Sequence, residues 1–166
     1  MSKPIATARL VLRPIRPQDA GDLFEIMRDP AIGAAMGEQP PASASVMQDR
    51  IEEWMRGPGP DKDERWLNWL ARTQDGHPVA HLAATVQRSL AWLAWIVAVE
   101  YQRQGYATEG AGAIMAHLAA HGVGTFAASI PKGHLASEVV ARNLDMRLTD
   151  EIVDGERAWR TVQSPG

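Results

Sequence analysis

The sequence predicts an α/β domain in which helices cover one mixed sheet. Segments with strand and helix periodicity follow in the order β-α-α-β-β-β-α-β-α-β-β, which interleaves the two types instead of separating them. The segment Leu90–Val99 is almost wholly apolar, as expected of a strand in the middle of a sheet. No internal repeat and no domain boundary is visible in the 166 residues, so we expect residues 1–166 to form a single domain.

The first part of the chain predicts one strand and two helices. Residues Ala8–Ile15 alternate between apolar and polar side chains, which is typical of a half-buried strand. The apolar stripe of Asp19–Arg28 predicts a helix, and Asp29–Pro30 is a helix-stop signal. Residues Ala31–Ala44 are rich in glycine, proline and alanine and predict a loop. The residues Ser45–Gln48 match a capping box, which predicts that the second helix begins there.

The remainder predicts six strands and two helices, with glycines marking several of the boundaries. A long helix ends at Gly122, and a hairpin turns at Asp154–Gly155. The predicted strands are Arg65–Thr73, Pro78–Val86, Leu90–Val99, Thr125–Ile130, Met146–Val153 and Glu156–Val162, and the predicted helices are Gly105–His121 and Ala136–Leu144.

Composition and charge exclude several functional classes. The chain has no cysteine, which removes disulfides, thiolate nucleophiles and cysteine-ligated metal sites and fits a cytoplasmic location. Seventeen basic and twenty acidic residues give a net charge of −3, without the basic excess of nucleic-acid binders. The longest apolar run is about half a membrane span, and no signal peptide is visible. We therefore expect neither a nucleic-acid nor a membrane partner.

The most informative segment, Trp95–Glu109, runs from a buried strand through a short polar turn into a helix. Unpaired N–H groups at the start of such a helix, together with the helix dipole, form a site for an anion such as a pyrophosphate. Gly105 would let the backbone approach the phosphate closely, and Arg103 would add positive charge. One glycine in a strand-turn-helix is a weak signal, so a phosphate- or nucleotide-binding module and a purely structural turn both remain open.

Within this segment, Gln102–Ala107 resembles the Gln/Arg-x-x-Gly-x-Gly/Ala signature of the GNAT superfamily of N-acetyltransferases. Gly105–Glu109 is similar to the Gly-Tyr-Ala-x-Glu that opens this helix in the RimJ/RimL-like, ribosomal-protein-acetyltransferase branch. Thr7–Pro14 resembles the first strand of that branch, Ile130–Ser137 its Pro-x-Asn-x-Ala-Ser segment, and Val140–Met146 its Val-Ala-x-x-Leu-Gly-Phe. Together the matches cover essentially the whole chain in the right order.

The resemblance implies a GNAT-like fold, a mostly antiparallel sheet of six to seven strands flanked by about four helices, with acetyl-CoA as acyl donor. A splayed strand at Val97 to Val99 would offer backbone groups to the pantetheine amides. An acceptor amine would enter from the opposite side of the split sheet and attack the thioester directly. The pyrophosphate would be cradled by Gln102, Arg103, Gln104, Gly105, Tyr106, Ala107 and Thr108.

Two positions depart from the pattern of the resembled family. His134 stands where asparagine is usual, with Gly133 inserted before it, and this residue would contact the pantetheine. Asp145 stands where glycine is usual, which concerns only a turn. The first departure keeps a second hypothesis open, a non-catalytic acyl-CoA-binding regulator on the same fold.

Ser137 is the candidate catalytic residue. It lies in the first turn of a predicted helix, three positions after His134. The resemblance implies that its hydroxyl donates a hydrogen bond to the departing CoA thiolate. A serine at this place also serves commonly to tie down helix N–H groups, which is the structural alternative. Neither of the two tyrosines occupies the place where many acetyltransferases keep a tyrosine acid, which favours Ser137.

The general base and the acceptor stay open at the level of sequence. Glu100, His81 and an ordered water are the candidates for the base. The acceptor is a protein N-terminus, an aminoglycoside-like antibiotic, a polyamine or a small amino metabolite, and we expect residues Ala31–Asp63 to shape this choice. A homodimer is also left open. His117 and His121 have the i, i+4 spacing of a metal face, but no third ligand is evident and we predict no metal.

Overall fold

A computed structural model describes residues 3–162 and contains eight strands and five α-helices in that range. Short 3-10 helices lie at Pro17–Asp19 and Val99–Tyr101. The strands are β1 (Ile5–Ala6), β2 (Leu10–Pro14), β3 (Arg65–Thr73), β4 (Pro78–Gln87), β5 (Leu90–Val97), β6 (Thr125–Ile130), β7 (Met146–Val153) and β8 (Glu156–Thr161). The helices are α1 (Ala20–Met27), α2 (Pro30–Met36), α3 (Ala44–Arg56), α4 (Tyr106–Ala119) and α5 (Leu135–Asn143).

All strands belong to one sheet in the order β1-β2-β3-β4-β5-β6-β8-β7. Every neighbouring pair is antiparallel except β5 and β6, which are parallel. The predicted α/β class and mostly antiparallel sheet are therefore confirmed. The predicted counts of six to seven strands and about four helices are slightly too low.

Each face of the sheet carries its own apolar core. Because side chains alternate between faces along a strand, Leu82 faces the layer of α4 and α5, whereas its neighbour His81 faces the layer of α1, α2 and α3. Ile114 is among the residues that α4 buries on the first face, and Ile51 of α3 is buried against Leu70 and its neighbours on the second. Each such side chain contributes about 1.5 to 3 kcal/mol by burial. The core thus holds β4 and β5 from both sides.

The loop predicted over Ala31–Ala44 is wrong in its first part, where α2 lies. The side chain of Asp29 caps this helix by accepting a hydrogen bond from the N–H of Ala31 at 2.9 Å. Pro30 occupies the first helical position, where its missing N–H costs nothing. The extra strand β1 consists of only two residues, too few to show a period.

Helix α3 begins two residues earlier than the predicted capping box. Ser43, not Ser45, has the extended backbone of an N-cap residue, and its hydroxyl accepts a hydrogen bond from the N–H of Val46 at 3.2 Å.

Within residues 3–162, none of the helices combines the length and the apolar composition that a membrane crossing requires.

Candidate functional site

The sheet splits between its two parallel strands. Pairing of β5 with β6 covers Leu90–Trp92 and Thr125–Ala127 and then ends. Beyond that point β5 continues to Val97 paired only with β4, while β6 continues to Ile130 paired only with β8. One edge of β5 is therefore open from residue 93 onward. Apart from the carbonyl of Val97, which accepts a hydrogen bond from the Gln102 side chain, the N–H and C=O groups on this edge can pair with an extended chain that carries amides.

The turn after this strand leads to an uncapped helix start. Arg103 and Gly105 both have left-handed backbones, with φ values of 63° and 82°. Gly105 is the N-cap residue of α4, and no side chain in the described range accepts a hydrogen bond from the first N–H groups of this helix. Those N–H groups belong to residues 106–108, and the helix dipole adds partial positive charge beside them. This arrangement can bind an anionic group such as a pyrophosphate.

Gly105 leaves room at this turn that another residue would fill. A Cβ atom built at this position would lie 3.4 Å from Nη2 of Arg9, and a φ of 82° is strained for any residue with a side chain. Gly105 therefore keeps the backbone open beside the helix start. The chain's residues fit a bound pyrophosphate at this place.

The strand predicted over Leu90–Val99 ends two residues early. Val97 pairs with Ala80, and the N–H of Ala98 donates to the carbonyl of Val79 at 2.8 Å. Val99 lies in a 3-10 turn, outside the strand. The prediction that Val97 to Val99 form one splayed strand is therefore wrong at Val99, because the chain turns there towards α4.

Two of the predicted cofactor residues use their side chains within the turn itself. The Gln102 amide donates to the carbonyl of Val97 at 3.0 Å, and the Gln104 amide donates to the carbonyl of Glu100 at 3.3 Å. These bonds tie the turn to the end of β5. The side chains of Gln102, Arg103 and Gln104 remain exposed.

Ser137 and Trp95 meet beside the split. The indole Nε1 of Trp95, on β5, donates to the hydroxyl oxygen of Ser137, on α5, at 3.3 Å. Because the oxygen accepts this bond, the hydroxyl hydrogen of Ser137 stays available for a second partner. The helix N–H of Ser137 donates to Nδ1 of His134 at 3.3 Å, so His134 is the N-cap of α5. The capping role considered for Ser137 therefore belongs to His134.

A cavity of about 600 Å³ lies on the opposite face of the sheet. Its floor is formed by His81 and Ile96, which are paired neighbours on β4 and β5, so it reaches the strand that borders the split. The remaining walls come from α1, α2, α3 and the segment after α2, and they are Met27, Met36, Glu38, Gln39, Arg50, Glu53 and Trp54. Most of these residues lie in the segment 31–63 that the sequence analysis connected with acceptor choice.

His81 is the buried titratable group of this cavity. Its ring is only 7% exposed, stacks on Trp54 with ring centres 4.9 Å apart, and places Nε2 at 2.9 Å from the amide oxygen of Asn68. Because an amide oxygen only accepts, Nε2 carries the hydrogen and Nδ1 holds a lone pair. Burial lowers the pKa of His81 to about 4, so the ring is neutral near pH 7.

The sequence analysis missed three residues that the fold brings to these sites. Trp95 was considered, together with Trp92, only as a strand residue that could line the acceptor cleft, Asn68 was not singled out, and Arg9 was quoted only as part of the first strand. Arg9 lies against residues 102–105, the predicted cofactor turn between β5 and α4, where its Nη1 donates to the carbonyl of Gln104 at 2.9 Å. All three depend on partners far away in sequence, and no local pattern marks them.

The remaining sequence candidates lie away from the His81 cavity lining. Glu100 is exposed in the turn, and His121 directs Nδ1 to the carbonyl of His117 at 2.7 Å. Within the described residues, no group of three or more histidine, aspartate or glutamate side chains is arranged to hold a metal ion.

Solved structures share this fold over nearly their whole length. An acetyl transferase of Salmonella typhimurium that modifies the N-terminal serine of a 50S ribosomal subunit protein is 15% identical, with a TM-score of 0.78 over 98% of this chain and 100% of that one. RimL in complex with coenzyme A is 16% identical, with a TM-score of 0.78 over 97% and 98%. An aminoglycoside acetyltransferase in complex with coenzyme A is 13% identical, with a TM-score of 0.73 over 92% and 94%.

The family comparison goes beyond the fold. A comparison with curated protein sequences found no significant match. The family model of the acetyltransferase (GNAT) domain, however, matches residues 9–147, which include β5 with its open edge, the predicted cofactor turn and α5. The resemblance found in the sequence is thereby confirmed, and the chain belongs to the GNAT family of acetyltransferases.

Proposed function

We propose that this acetyltransferase moves an acetyl group from acetyl-CoA directly to the primary amine of a small molecule or of a protein N-terminus. The observation that carries the proposal is the open edge of β5, which runs between the uncapped start of α4 and a separate cavity of about 600 Å³. The family match favours an enzyme over a non-catalytic acyl-CoA-binding regulator. Structural neighbours modify a protein N-terminus in one case and bear the name of an aminoglycoside acetyltransferase in another.

In this proposal, acetyl-CoA and the amine approach the split from different sides of the sheet. The N–H groups of residues 106–108 and the turn from Gln102 to Gly105 hold the pyrophosphate, and the open edge of β5 holds the pantetheine amides. Acetyl-CoA supplies the activated thioester. The amine enters the cavity, where Nδ1 of His81 offers the buried lone pair that can accept its N–H. Catalysis then consists mainly of positioning the two reactants.

On the other face, Ser137 supplies a donor for the leaving group. Trp95 occupies an acceptor site of the Ser137 hydroxyl and thereby orients its hydrogen away from the indole. His134 caps α5 by accepting a hydrogen bond from the backbone N–H of Ser137, which holds Ser137 in place. In this proposal His134 also lines the pantetheine. The cytoplasmic location, the homodimer and the single-domain extent over residues 1–166 stay predictions.

Acetyl-CoA is expected to raise the melting temperature of the protein, because a ligand that binds only the folded state stabilises it by mass action. A saturating concentration of 100 times Kd would add about 2.7 kcal/mol. Turnover is then measured by release of free thiol with a peptide starting in serine, with kanamycin and with spermidine. A folded protein that shows no thermal shift and no turnover with any of the three amines would refute the proposal.

Replacing Ser137 with alanine is expected to lower kcat about tenfold with little change in the Kd of acetyl-CoA. The effect is smaller than that of an oxyanion-hole donor because a thiolate leaves readily without help. Stability should change little, since the α5 cap is His134. Ser89→Ala, at an exposed position of the turn between β4 and β5, is the control. An unchanged kcat with a lowered melting temperature would make Ser137 a structural residue.

A further inference from the structure

Arg9 forms a bridge between the start of the chain and the cofactor turn. Its Nε donates to Oε1 of Glu109 at 2.8 Å, and its backbone N–H donates to Oε2 of the same carboxylate at 3.2 Å. Its Nη1 donates to the carbonyl of Gln104, and its guanidinium lies 4.2 Å from the ring centre of Tyr106. One side chain therefore contacts both the last residues of the turn and the first turn of α4.

Glu109 is held firmly as the anionic partner. Besides the two bonds from Arg9, its Oε2 accepts from the hydroxyl of Thr7 at 2.7 Å. Burial raises the pKa of this carboxyl, but the hydrogen bonds from Thr7 and Arg9 and the charge of Arg9 outweigh burial and lower the pKa overall. The carboxylate is thus ionised near pH 7, only four residues after Gly105.

The negative charge of Glu109 disfavours a second anion at the start of α4, and Arg9 offsets this charge. An acidic side chain in the first turn of a helix is stabilised by the dipole, but it also repels a second anion placed at the same helix end. Arg9 neutralises Glu109 at contact distance. It also retains Nη2, which has no hydrogen-bond acceptor within residues 3–162 and lies 3.4 Å from the place of a Cβ on Gly105. This donor borders the space that glycine keeps open.

We propose that Arg9 belongs to the pyrophosphate site. Its Nε and Nη1 position the turn against α4, and its Nη2 donates directly to a pyrophosphate oxygen. Glu109 is a positioning residue that acts through Arg9. This inference rests on the proposed use of acetyl-CoA, and it adds a cation from the first strand region, nearly a hundred residues before the turn.

The test measures binding, without turnover, of coenzyme A to the Arg9→Gln variant by titration calorimetry. The Kd is expected to rise about 10- to 100-fold, the range of a lost charged hydrogen bond. The Arg9→Lys variant keeps the charge without the fork of donors and should fall between wild type and Arg9→Gln. Arg13→Gln is the matched control, because Arg13 is exposed on β2 and its side chain has no partner in the described range.

Two further arms separate the competing explanations. With 3′-dephospho-CoA as the ligand, Arg9→Gln should raise the Kd by the same factor as with coenzyme A. If Arg9→Gln left this Kd unchanged, Arg9 would contact the 3′-phosphate, and the assignment would be overturned. In the Arg9→Gln/Glu109→Gln double variant, part of the affinity should return, because the uncovered carboxylate no longer repels the ligand.

The outcomes distinguish this inference from the proposed function. If wild type does not bind coenzyme A, the proposed function fails, and the role of Arg9 fails with it. If wild type binds but Arg9→Gln binds equally well and only its melting temperature falls, Arg9 is structural and the proposed function stands. If Arg9→Gln does not fold, an unchanged Kd in the Arg9→Lys variant would also overturn the inference.

Discussion

Replacing Gly105 with valine is expected to weaken acetyl-CoA binding about 100-fold or more, while the protein stays folded. Gly105 has a φ of 82°, and its missing Cβ leaves the space beside Nη2 of Arg9 open. A β-branched side chain would fill this space, displace Arg9 and drive the turn out of its left-handed conformation. The N–H groups of residues 106–108 would then no longer converge on one anion.

The strain of a left-handed backbone must be separated from the loss of the site. Gly155 provides the matched control, because its φ is 80°, nothing lies within 4 Å of a Cβ built there, and it belongs to the β7–β8 hairpin. Both valine variants should lose about 1 to 2 kcal/mol of stability from strain. Only Gly105→Val should lose affinity in titration calorimetry. Equal Kd values for the two folded variants would place the pyrophosphate elsewhere.

The sequence was sufficient for the cofactor turn because that feature is local. A buried strand, a polar turn, Gly105 and a helix start are consecutive, and consecutive residues dictate their own backbone. The same locality misled the prediction at Asp29–Pro30. These two residues end α1, and they also cap and open α2, so a stop signal and a start signal coincide.

The contacts that complete both sites could not be predicted, because they join distant segments. Arg9 and Glu109 are 100 residues apart and meet only because the segment between β1 and β2 lies against α4, which packs on the sheet. His81 and Asn68 become partners through pairing of β3 with β4, and the Trp54 ring is added by α3. A sequence shows such residues one by one, and only the tertiary fold shows what each of them faces.

Replacing His81 with glutamine is expected to lower kcat about 100-fold, the lower end of the range for a positioned base. As the amine nitrogen forms the new C–N bond and the C–S bond to the thiolate breaks, one N–H proton must leave, and in the proposed function Nδ1 of His81 takes it. The ring then releases this proton through the open cavity. Its low pKa makes it a weak base, which is the reason for the modest factor.

The measurement is kcat with the best of the three amines, beside the Kd of acetyl-CoA, which should not change. His77→Gln is the control, since His77 is exposed just before β4. An unchanged kcat in a folded His81→Gln variant would show that His81 is only a core residue. The proposed function would survive that result, with water as the proton acceptor.

Asn68→Asp tests the role of His81 by pH. The reaction needs neutral His81, so the acid limb of kcat/KM that belongs to this group lies near pH 4 in the wild type. Glu38, Arg50 and Glu53 are the other charged groups of the cavity, and they are unaltered in the variant. A carboxylate next to Nε2–H favours the charged ring and raises its pKa. The acid limb should therefore move to higher pH in Asn68→Asp, with activity retained above it. If the acid limb stays at the same pH, the proton does not go to His81. The substitution at position 68 changes the pH dependence of activity only through the His81 ring, which this side chain contacts.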